Sequence, residues 1–390
     1  MTGLDEVRVA RIVLAHATEP GRRDLGELVR SVGPVVALDR VRCGNIPTSL
    51  LEVTATRLST IDPRRTAARA VDLAARVGAR IITPEDDEWP AHLDDLVRIS
   101  TPGSNTIERD TDPPQAIWLR GRPSLSQACE RAVAVVGSRA STAYGDHVAA
   151  DLAYGLAERG WTVVSGGAFG VDAAAHRGAL AASGLTIAVL AGGVERAYPP
   201  AHQLLFERIV ETGLLLSEWP PGTNSFRHRF LVRNRLIAAL AQGTVLVEAN
   251  VRSGARFTLR RTRRLGRMAM VVPGPVTSAM STGAHEELRS DEPTTLVTGT
   301  EQVIEAIGRI GADLAPAARG PATPRDALSI LQRQVLDGVR PRKILSAEQI
   351  ATAVGVPARQ VRATLPDLQR AGFITADGTG YRLRRANDSP

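Results

Sequence analysis

Lysine is almost absent from this sequence of 390 residues: Lys343 is the single lysine among 48 basic residues, and all the others are arginine. A P-loop ATPase holds phosphate through a Gly-Lys-Ser or Gly-Lys-Thr tripeptide. Lys343 lies in Pro-Arg-Lys-Ile instead, so the sequence excludes that class of enzyme.

Cysteines and long apolar runs are scarce as well. Cys43 and Cys129 are the only cysteines, which excludes a disulfide framework or a cysteine-ligated zinc site and indicates a reducing compartment. No run of about 18 apolar residues could span a membrane. Charged residues within the first eleven positions interrupt any signal-peptide core. We therefore expect a cytoplasmic protein that does not bind membranes.

The remaining composition is that of an ordinary globular chain. Hydrophobic residues make up 43% and charged residues 23% of the sequence, and the length predicts two or three domains. The formal net charge is +7. A modest charge says little about partners until its distribution along the chain is known.

Composition and periodicity divide the chain into five predicted segments. These are a small helical (SAM-like) domain, a connecting arm, a Rossmann-like domain, a linker rich in Ala, Pro, Gly and Arg, and a winged-helix domain: 1–65, 66–130, 131–310, 311–325 and 326–385. The arm is expected to have limited structure of its own, although 116–119 could form an edge strand.

The Rossmann-like segment alternates short apolar runs with segments of helical length. Such alternation predicts a parallel sheet with helices on both faces, an α/β fold. The predicted strands are Val133–Val136, Thr162–Val164, Thr186–Leu190, Leu214–Leu216, Thr244–Val247 and Met268–Val272.

The last segment has the order of a winged helix. Ser346 can cap one helix, a second covers 358–371, and a hairpin follows with Gly378 at its tip. Pro366 lies inside the second helix, where proline removes a backbone hydrogen bond and kinks the helix. The role of this domain in reading DNA therefore stays open.

Small residues follow nearly every predicted strand of the Rossmann-like domain. Ligands bind at the carboxyl ends of such strands, and glycine lets a phosphate approach the backbone N–H groups there. Ser165-x-Gly167-x-x-Gly170 lacks the first glycine of the dinucleotide fingerprint, and the next strand ends in Ala191-Gly192-Gly193, with no Asp or Glu to hold a ribose. We expect a phosphate-lined site and no cofactor or metal.

A basic stretch over 226–267 contains eleven arginines and a single acid, Glu248. Phe226 and Phe230 alternate with its first arginines. Arginines that hold phosphates and aromatic rings that stack bases are typical of proteins that bind single-stranded nucleic acid. The arginines over 256–267 also fit a solvated helix face, and the sequence leaves both interpretations open.

Seven motifs in fixed order carry a family resemblance. They are VAVVGSR at 133–139, SGGAFGVDAAAHRGAL at 165–180, YPP at 198–200, SEWPPGT at 217–223, RHRFLVRNRLIA at 227–238, VEANVRSGARFT at 247–258 and VPGPV at 272–276. This set resembles the DNA-processing protein A family, also called DprA or Smf.

The resemblance implies an extended Rossmann-like fold that binds single-stranded DNA without sequence specificity in a basic pocket. It also implies a homodimer through that domain, loading of RecA recombinase during natural transformation or recombination, and no catalytic activity. Arg139 should meet a phosphate, Gly166, Gly167 and Gly170 should supply N–H groups, and 227–235 should form a basic and aromatic wall.

Arg252-Ser253-Gly254 is either a further phosphate contact or a turn that positions the next helix, and we favour contact. The full set of predicted DNA-binding residues is Gly137, Ser138, Arg139, Ser165, Gly166, Gly167, Gly170, Phe226, Arg227, Arg229, Phe230, Arg233, Asn234, Arg235, Arg252, Ser253 and Gly254.

Two alternative functions remain. A nucleotide N-glycosidase could use Glu218 and Glu248 as acid and base. Asp172 and His176 share a helix face, but we interpret them as structural rather than catalytic. A transcription regulator could combine an anion-sensing Rossmann-like domain with a winged helix that reads duplex DNA through three arginines, namely Arg359, Arg362 and Arg370.

Overall fold

A computed structural model describes residues 5–58, 62–99, 111–196, 198–309, 313, 323–341 and 343–384. The chain forms two compact units, Met1–Ala315 and Pro316–Pro390. Most of the predicted linker over 311–325 lies outside the described residues.

The first unit begins with four helices. They are α1 (Glu6–Ala17), α2 (Arg23–Arg42), α3 (Thr48–Leu58) and α4 (Pro63–Arg76). The carboxylates of Asp5 and Asp62 accept hydrogen bonds from backbone N–H groups in the first turns of α1 and α4. Gly33, with φ +79°, kinks α2 in its middle. The predicted helices at this end are present, but α4 crosses the predicted boundary at residue 65, and a separate small helical domain stays a prediction.

The centre of the first unit is one sheet, which contains nine strands among the described residues. They are β1 (Ala79–Ile82), β2 (Ile117–Arg120), β3 (Ala132–Val136), β4 (Thr162–Ser165), β5 (Thr186–Val189), β6 (Leu214–Ser217), β7 (Gly243–Leu246), β8 (Met268–Val271) and β9 (Thr295–Leu296). Their spatial order is β1-β2-β6-β5-β4-β3-β7-β8-β9. Strand β2 is antiparallel to both neighbours, and the remaining pairs are parallel.

Further helices surround the sheet, and the described residues contain eight of them. They are α5 (Leu125–Glu130), α6 (Ala143–Glu158), α7 (Val171–Ala181), α8 (Gln203–Thr212), α9 (Arg227–Ala239), α10 (Ala255–Arg264), α11 (Thr282–Arg289) and α12 (Thr300–Ile307). Strand β3 packs into a hydrophobic core on each face of the sheet. Val133 and Val135 belong to one core, and Ala134 and Val136 belong to the other. The alternation has the period of two of a strand covered on both faces. The prediction of a parallel sheet with helices on both faces is confirmed.

The connecting arm over 66–130 differs from its prediction of limited structure. It contributes β1, β2 and α5, and a 3₁₀ segment over Ala91–Ile99. Strand β2 is interior rather than an edge, since Trp118 pairs with both Ile81 and Ser217 and is fully buried. The partner strand β6 lies about a hundred residues further along the chain, so local composition could not reveal this pairing.

The second unit contains α13 (Ile330–Gly338), α14 (Ala347–Val354), α15 (Ala358–Arg370) and a hairpin of β10 (Ile374–Asp377) and β11 (Gly380–Leu383). Ser346 caps α14 in a capping box with Gln349. Helix α15 continues through Pro366 to Arg370. The order of elements agrees with the sequence interpretation, and the winged-helix designation stays a prediction.

Candidate nucleic-acid interface

A cavity of ≈ 450 Å³ lies at the carboxyl ends of the central strands. Strands β3 and β7 are neighbours there, but the chain proceeds from β3 to β4 on one side and from β7 to β8 on the other. This reversal is the topological switch point where open α/β sheets bind ligands. We call the cavity the first cavity. Ten predicted residues line it: Gly137, Ser138, Arg139, Arg227, Phe230, Arg233, Asn234, Arg252, Ser253 and Gly254.

The accessible wall of the first cavity combines arginine with an aromatic ring. The guanidinium of Arg139 lies over the Phe230 ring, 4.8 Å from its centroid, a cation–π arrangement. Arg139, Arg227 and Arg252 are exposed. Their side chains form no hydrogen bond or ion pair within the described part of the chain. The wall therefore presents free positive charge beside an aromatic face.

Arg233 lies deeper, and is almost fully buried. It donates to the carbonyls of Gly166 (2.8 Å) and Val189. Burial lowers the pKa of Arg233 to about 10, and the nearby Asp172 carboxylate opposes this shift. Its Nε has no hydrogen-bond partner among the described atoms. Arg233 thus contributes fixed positive charge beneath the exposed arginines.

The glycine-rich loop after β4 is built differently from its prediction. The N–H groups of Gly166 (3.2 Å) and Ala168 (3.4 Å) donate to Asp172 Oδ2. Burial raises the pKa of Asp172, while Arg233 and these N–H donors lower it. The Ser165 hydroxyl is buried and donates to Val135 O (2.7 Å). The Gly166 N–H, expected to supply a donor to a phosphate, is thus already engaged by a carboxylate of the protein, and the hydroxyl of Ser165, another predicted DNA-binding residue, is engaged by a carbonyl.

Close packing explains the other glycines. Gly170 begins α7 with φ +73°, and a Cβ there would lie 2.3 Å from Ser138 O. A Cβ on Gly137 would lie 2.6 Å from the Val171 side chain, and one on Gly167 the same distance from Phe206. These positions require glycine for the fold itself. The sequence interpretation had attributed the glycines to the close approach of a phosphate.

Two predicted arginines are engaged in internal ion pairs. Arg235 is fully buried and makes a bidentate pair with Glu218. Arg229 pairs with Glu19 of the segment after α1, at 2.5 Å. The predicted DNA contact of Arg235 does not fit the structure, since reaching DNA would break a buried ion pair. Phe226 stands outside the first cavity and is 51% exposed at the start of α9.

The arginines over 256–267 divide into structural and exposed ones. Arg256 and Arg263 pair with Glu287, and Arg267 donates to carbonyls at the end of α9. Arg261 is buried and donates to Leu231 O (2.5 Å). Arg260 and Arg264 are exposed, and Arg260 lies over Phe257, which lines the first cavity. Sequence reasoning missed Phe257 and Asn250 as lining residues, although both lie near the RSG motif.

The two glutamates considered as an acid and base are both buried. Glu218 is engaged by Arg235, and Glu248 accepts hydrogen bonds from the Thr142 N–H (2.9 Å) and hydroxyl (2.7 Å). Neither lines the first cavity. Glu248 holds the start of α6, a structural role that only the fold reveals. Among the described residues no cluster of three His, Cys, Asp or Glu side chains could hold a metal.

His176 belongs to the core, as interpreted from the sequence. Its Nδ1 lies 2.7 Å from Thr186 Oγ1, and burial lowers its pKa to about 3. The folded ring therefore stays neutral where an unfolded histidine, with a pKa near 6.5, takes up a proton. Stability from this group is complete above that value and is lost as the pH falls toward the folded pKa, by up to about 1.4 kcal/mol per pH unit.

We therefore predict that His176→Gln reduces the loss of stability between pH 7 and pH 5. Urea unfolding midpoints at the two pH values measure the effect. His147→Gln is the control, because His147 is exposed and its replacement should leave the pH dependence unchanged. Equal pH dependence in wild type and His176→Gln would contradict the assignment.

Known proteins match this chain over most of its length. The family model described as DNA recombination-mediator protein A matches residues 80–308. A DNA processing protein DprA of Mycobacterium tuberculosis is 44% identical over 384 residues, or 98% of this chain and 96% of that protein. Protein Smf of Escherichia coli is 35% identical over 285 residues, 71% and 74% of the two chains. The X-ray structure of DprA from Streptococcus pneumoniae has a TM-score of 0.61 and 25% identity, and covers 79% of this chain and 100% of that chain.

The fold and the first cavity define a doubly wound α/β protein with a cationic cleft at its topological switch point. The family model matches more than half of the chain, and a relative matches nearly all of it. The chain therefore belongs to the DNA processing protein A family, DprA or Smf, and is a DNA-processing protein. This assignment agrees with the prediction that it is not an enzyme. No helix of the described residues is long and apolar enough to cross a membrane.

Proposed function

We propose that this protein binds single-stranded DNA in the first cavity without sequence specificity and loads RecA recombinase onto it. The observation that carries the proposal is the pair of exposed Arg139 and half-buried Phe230 at the topological switch point. Arginine neutralises phosphates, and the ring offers a stacking surface for any base. Arg227 and Arg252 extend the same positive wall.

The charges that line the first cavity favour contacts to phosphates over recognition of base edges. Four arginines line the first cavity against the single carboxylate of Asp172, and they are Arg139, Arg227, Arg233 and Arg252. Because contacts to phosphates carry no sequence information, sequence preference should be low. The alternative of a glycosidase loses support, since Glu218 and Glu248 are buried in internal contacts.

We predict strong preference for a labelled 30-nucleotide dT strand over a duplex of equal length in fluorescence anisotropy. With about four phosphates neutralised, the logarithm of the affinity should fall against the logarithm of salt with a slope near −3. Equal or tighter duplex binding would contradict the proposal and favour the regulator, in which the second unit reads DNA. Absence of binding to both would also contradict it, and release of free base from nucleotides would then test the glycosidase.

Loading of recombinase and self-association complete the proposal. We propose that a homodimer forms through the Rossmann-like domain in the cytoplasm and joins two first cavities, which raises the effective affinity for long strands. Light scattering of the full chain measures the dimer. The rate of RecA filament formation on the strand, with and without this protein, measures loading. If the protein binds the strand tightly but the rate of filament formation is unchanged, the proposal of RecA loading is contradicted and the proposal of strand binding stands.

A further inference from the structure

A second cavity of ≈ 670 Å³ shares no lining residue with the first and contains none of the predicted DNA-binding residues. Arg120 at the end of β2, Glu195 and Arg196 after β5, and Asn224 and Ser225 before α9 contribute to its lining. Glu195 Oε1 accepts a hydrogen bond from the Gly222 N–H (2.7 Å), which ties the loop after β5 to the segment before α9. The cavity is thus formed by parts of the fold that the sequence alone did not connect.

An aromatic pair joins the two cavities. Phe230 lines the first cavity and Tyr198 lines the second. Their ring centroids are 5.7 Å apart, and the rings are inclined at 60°. Tyr198 is 50% exposed, so part of its side chain is accessible to a ligand. Arg139, Phe230 and Tyr198 therefore form one continuous series from the phosphate-binding wall into the second cavity.

The charges of the two cavities differ. Four arginines face one carboxylate in the first cavity. In the second, two arginines are balanced by two carboxylates: Arg120, Arg196, Glu195 and Glu207. Gln203 also lines it and donates to Glu207 (3.0 Å). A balanced cavity with amide and hydroxyl groups adds little attraction for further phosphates, and suits the polar edge of a base or a sugar.

We propose that the second cavity receives a nucleoside of the bound strand as it leaves the first cavity, with its base stacked on Tyr198. This inference rests on the proposed function, and it adds a base-contacting subsite to a path otherwise dominated by phosphate contacts. Stacking on an aromatic ring tolerates every base. The subsite therefore increases affinity without creating sequence specificity.

Tyr198→Ala tests the subsite. We expect about a tenfold loss of affinity for the 30-nucleotide dT strand, the size typical of one lost stacking contact. The salt slope should not change, because no phosphate contact is removed. Tyr198→Phe should bind like wild type, since it keeps the ring. Tyr154→Ala is the matched control, because Tyr154 is an exposed tyrosine of α6 outside both cavities.

Strands with one abasic nucleotide locate the contact. A short strand carrying the abasic nucleotide at each position in turn should lose affinity for the wild type where a base stacks on Phe230 and where a base stacks on Tyr198. For Tyr198→Ala, the loss at the second of these positions should disappear. Wild-type affinity in Tyr198→Ala, or an equal additional loss at every position, would overturn the subsite while strand binding stands. Failure of the wild type to bind any strand would overturn the proposed function as well.

Discussion

Replacement of Arg139 by glutamate should weaken binding of a 30-nucleotide single strand on the order of 100-fold. A negative charge then faces the phosphates, and like charges brought together at an interface cost several kcal/mol. The variant also removes the guanidinium from the Phe230 ring. Anisotropy at several salt concentrations measures the affinity, and the slope against log salt should become shallower by about 0.7 for one lost contact.

The fold of Arg139→Glu should be unaffected, because Arg139 is exposed and makes no ion pair in the described residues. Arg309→Glu is the matched control. Arg309 is an exposed arginine that follows α12, and its exposed guanidinium lies 3.9 Å from the Asp313 carboxylate in a pair that contributes little to stability. Ile307 of α12 contacts the start of β7, so Arg309 lies at the edge of the sheet opposite the first cavity. Unchanged strand binding in folded Arg139→Glu would refute the assignment of the first cavity.

Glu218→Gln should lower the free energy of unfolding by about 3–5 kcal/mol. Arg235 Nη1 donates to Glu218 Oε2 at 2.5 Å, and Nη2 donates to Oε1 at 2.6 Å. The side chains are 0% and 2% exposed. Removing one partner of such a pair leaves a buried charge without compensation, and this accounts for most of the loss in the free energy of unfolding. Urea unfolding of wild type and variant measures the difference.

Glu301→Gln provides the control for Glu218→Gln. Glu301 pairs with Arg159 at 2.8 Å, and both side chains are more than 40% exposed. An exposed pair of this kind contributes about 0–1 kcal/mol. Similar destabilisation by Glu218→Gln and Glu301→Gln would show that burial does not set the strength of the Arg235–Glu218 pair.

The parallel part of the sheet could be predicted because its strands are buried on both faces. Thr186–Leu190 and Leu214–Leu216 read as apolar runs, and the structure places β5 and β6 there. Strand β1 was not predicted and β2 was expected only as an edge strand, because β1 pairs with β2 and β2 pairs with the distant β6. A strand that is recruited by a distant neighbour has no sufficient local signal.

The arginines of the candidate interface show which property of the site cannot be predicted from the sequence, namely which of them are paired with a carboxylate. Arg233 and Arg235 are two residues apart in one motif, yet Arg233 lines the first cavity and Arg235 is locked to Glu218. The helical repeat turns them to different sides of α9. The sequence indicated how much positive charge was available, but not which carboxylate neutralises it.

The sequence by itself determined the α/β class and the concentration of arginine beside Phe230, and it indicated the carboxyl edge of the sheet as the candidate site. These depend on apolar runs, turn glycines and residue type, which are local properties. The tertiary structure decided which donors remain free. It placed Asp172 on the Gly166 and Ala168 N–H groups and joined Tyr198 to Phe230. Such pairings arise only when segments distant in sequence meet, and the cost of leaving a buried charge or donor unpaired then fixes each partner.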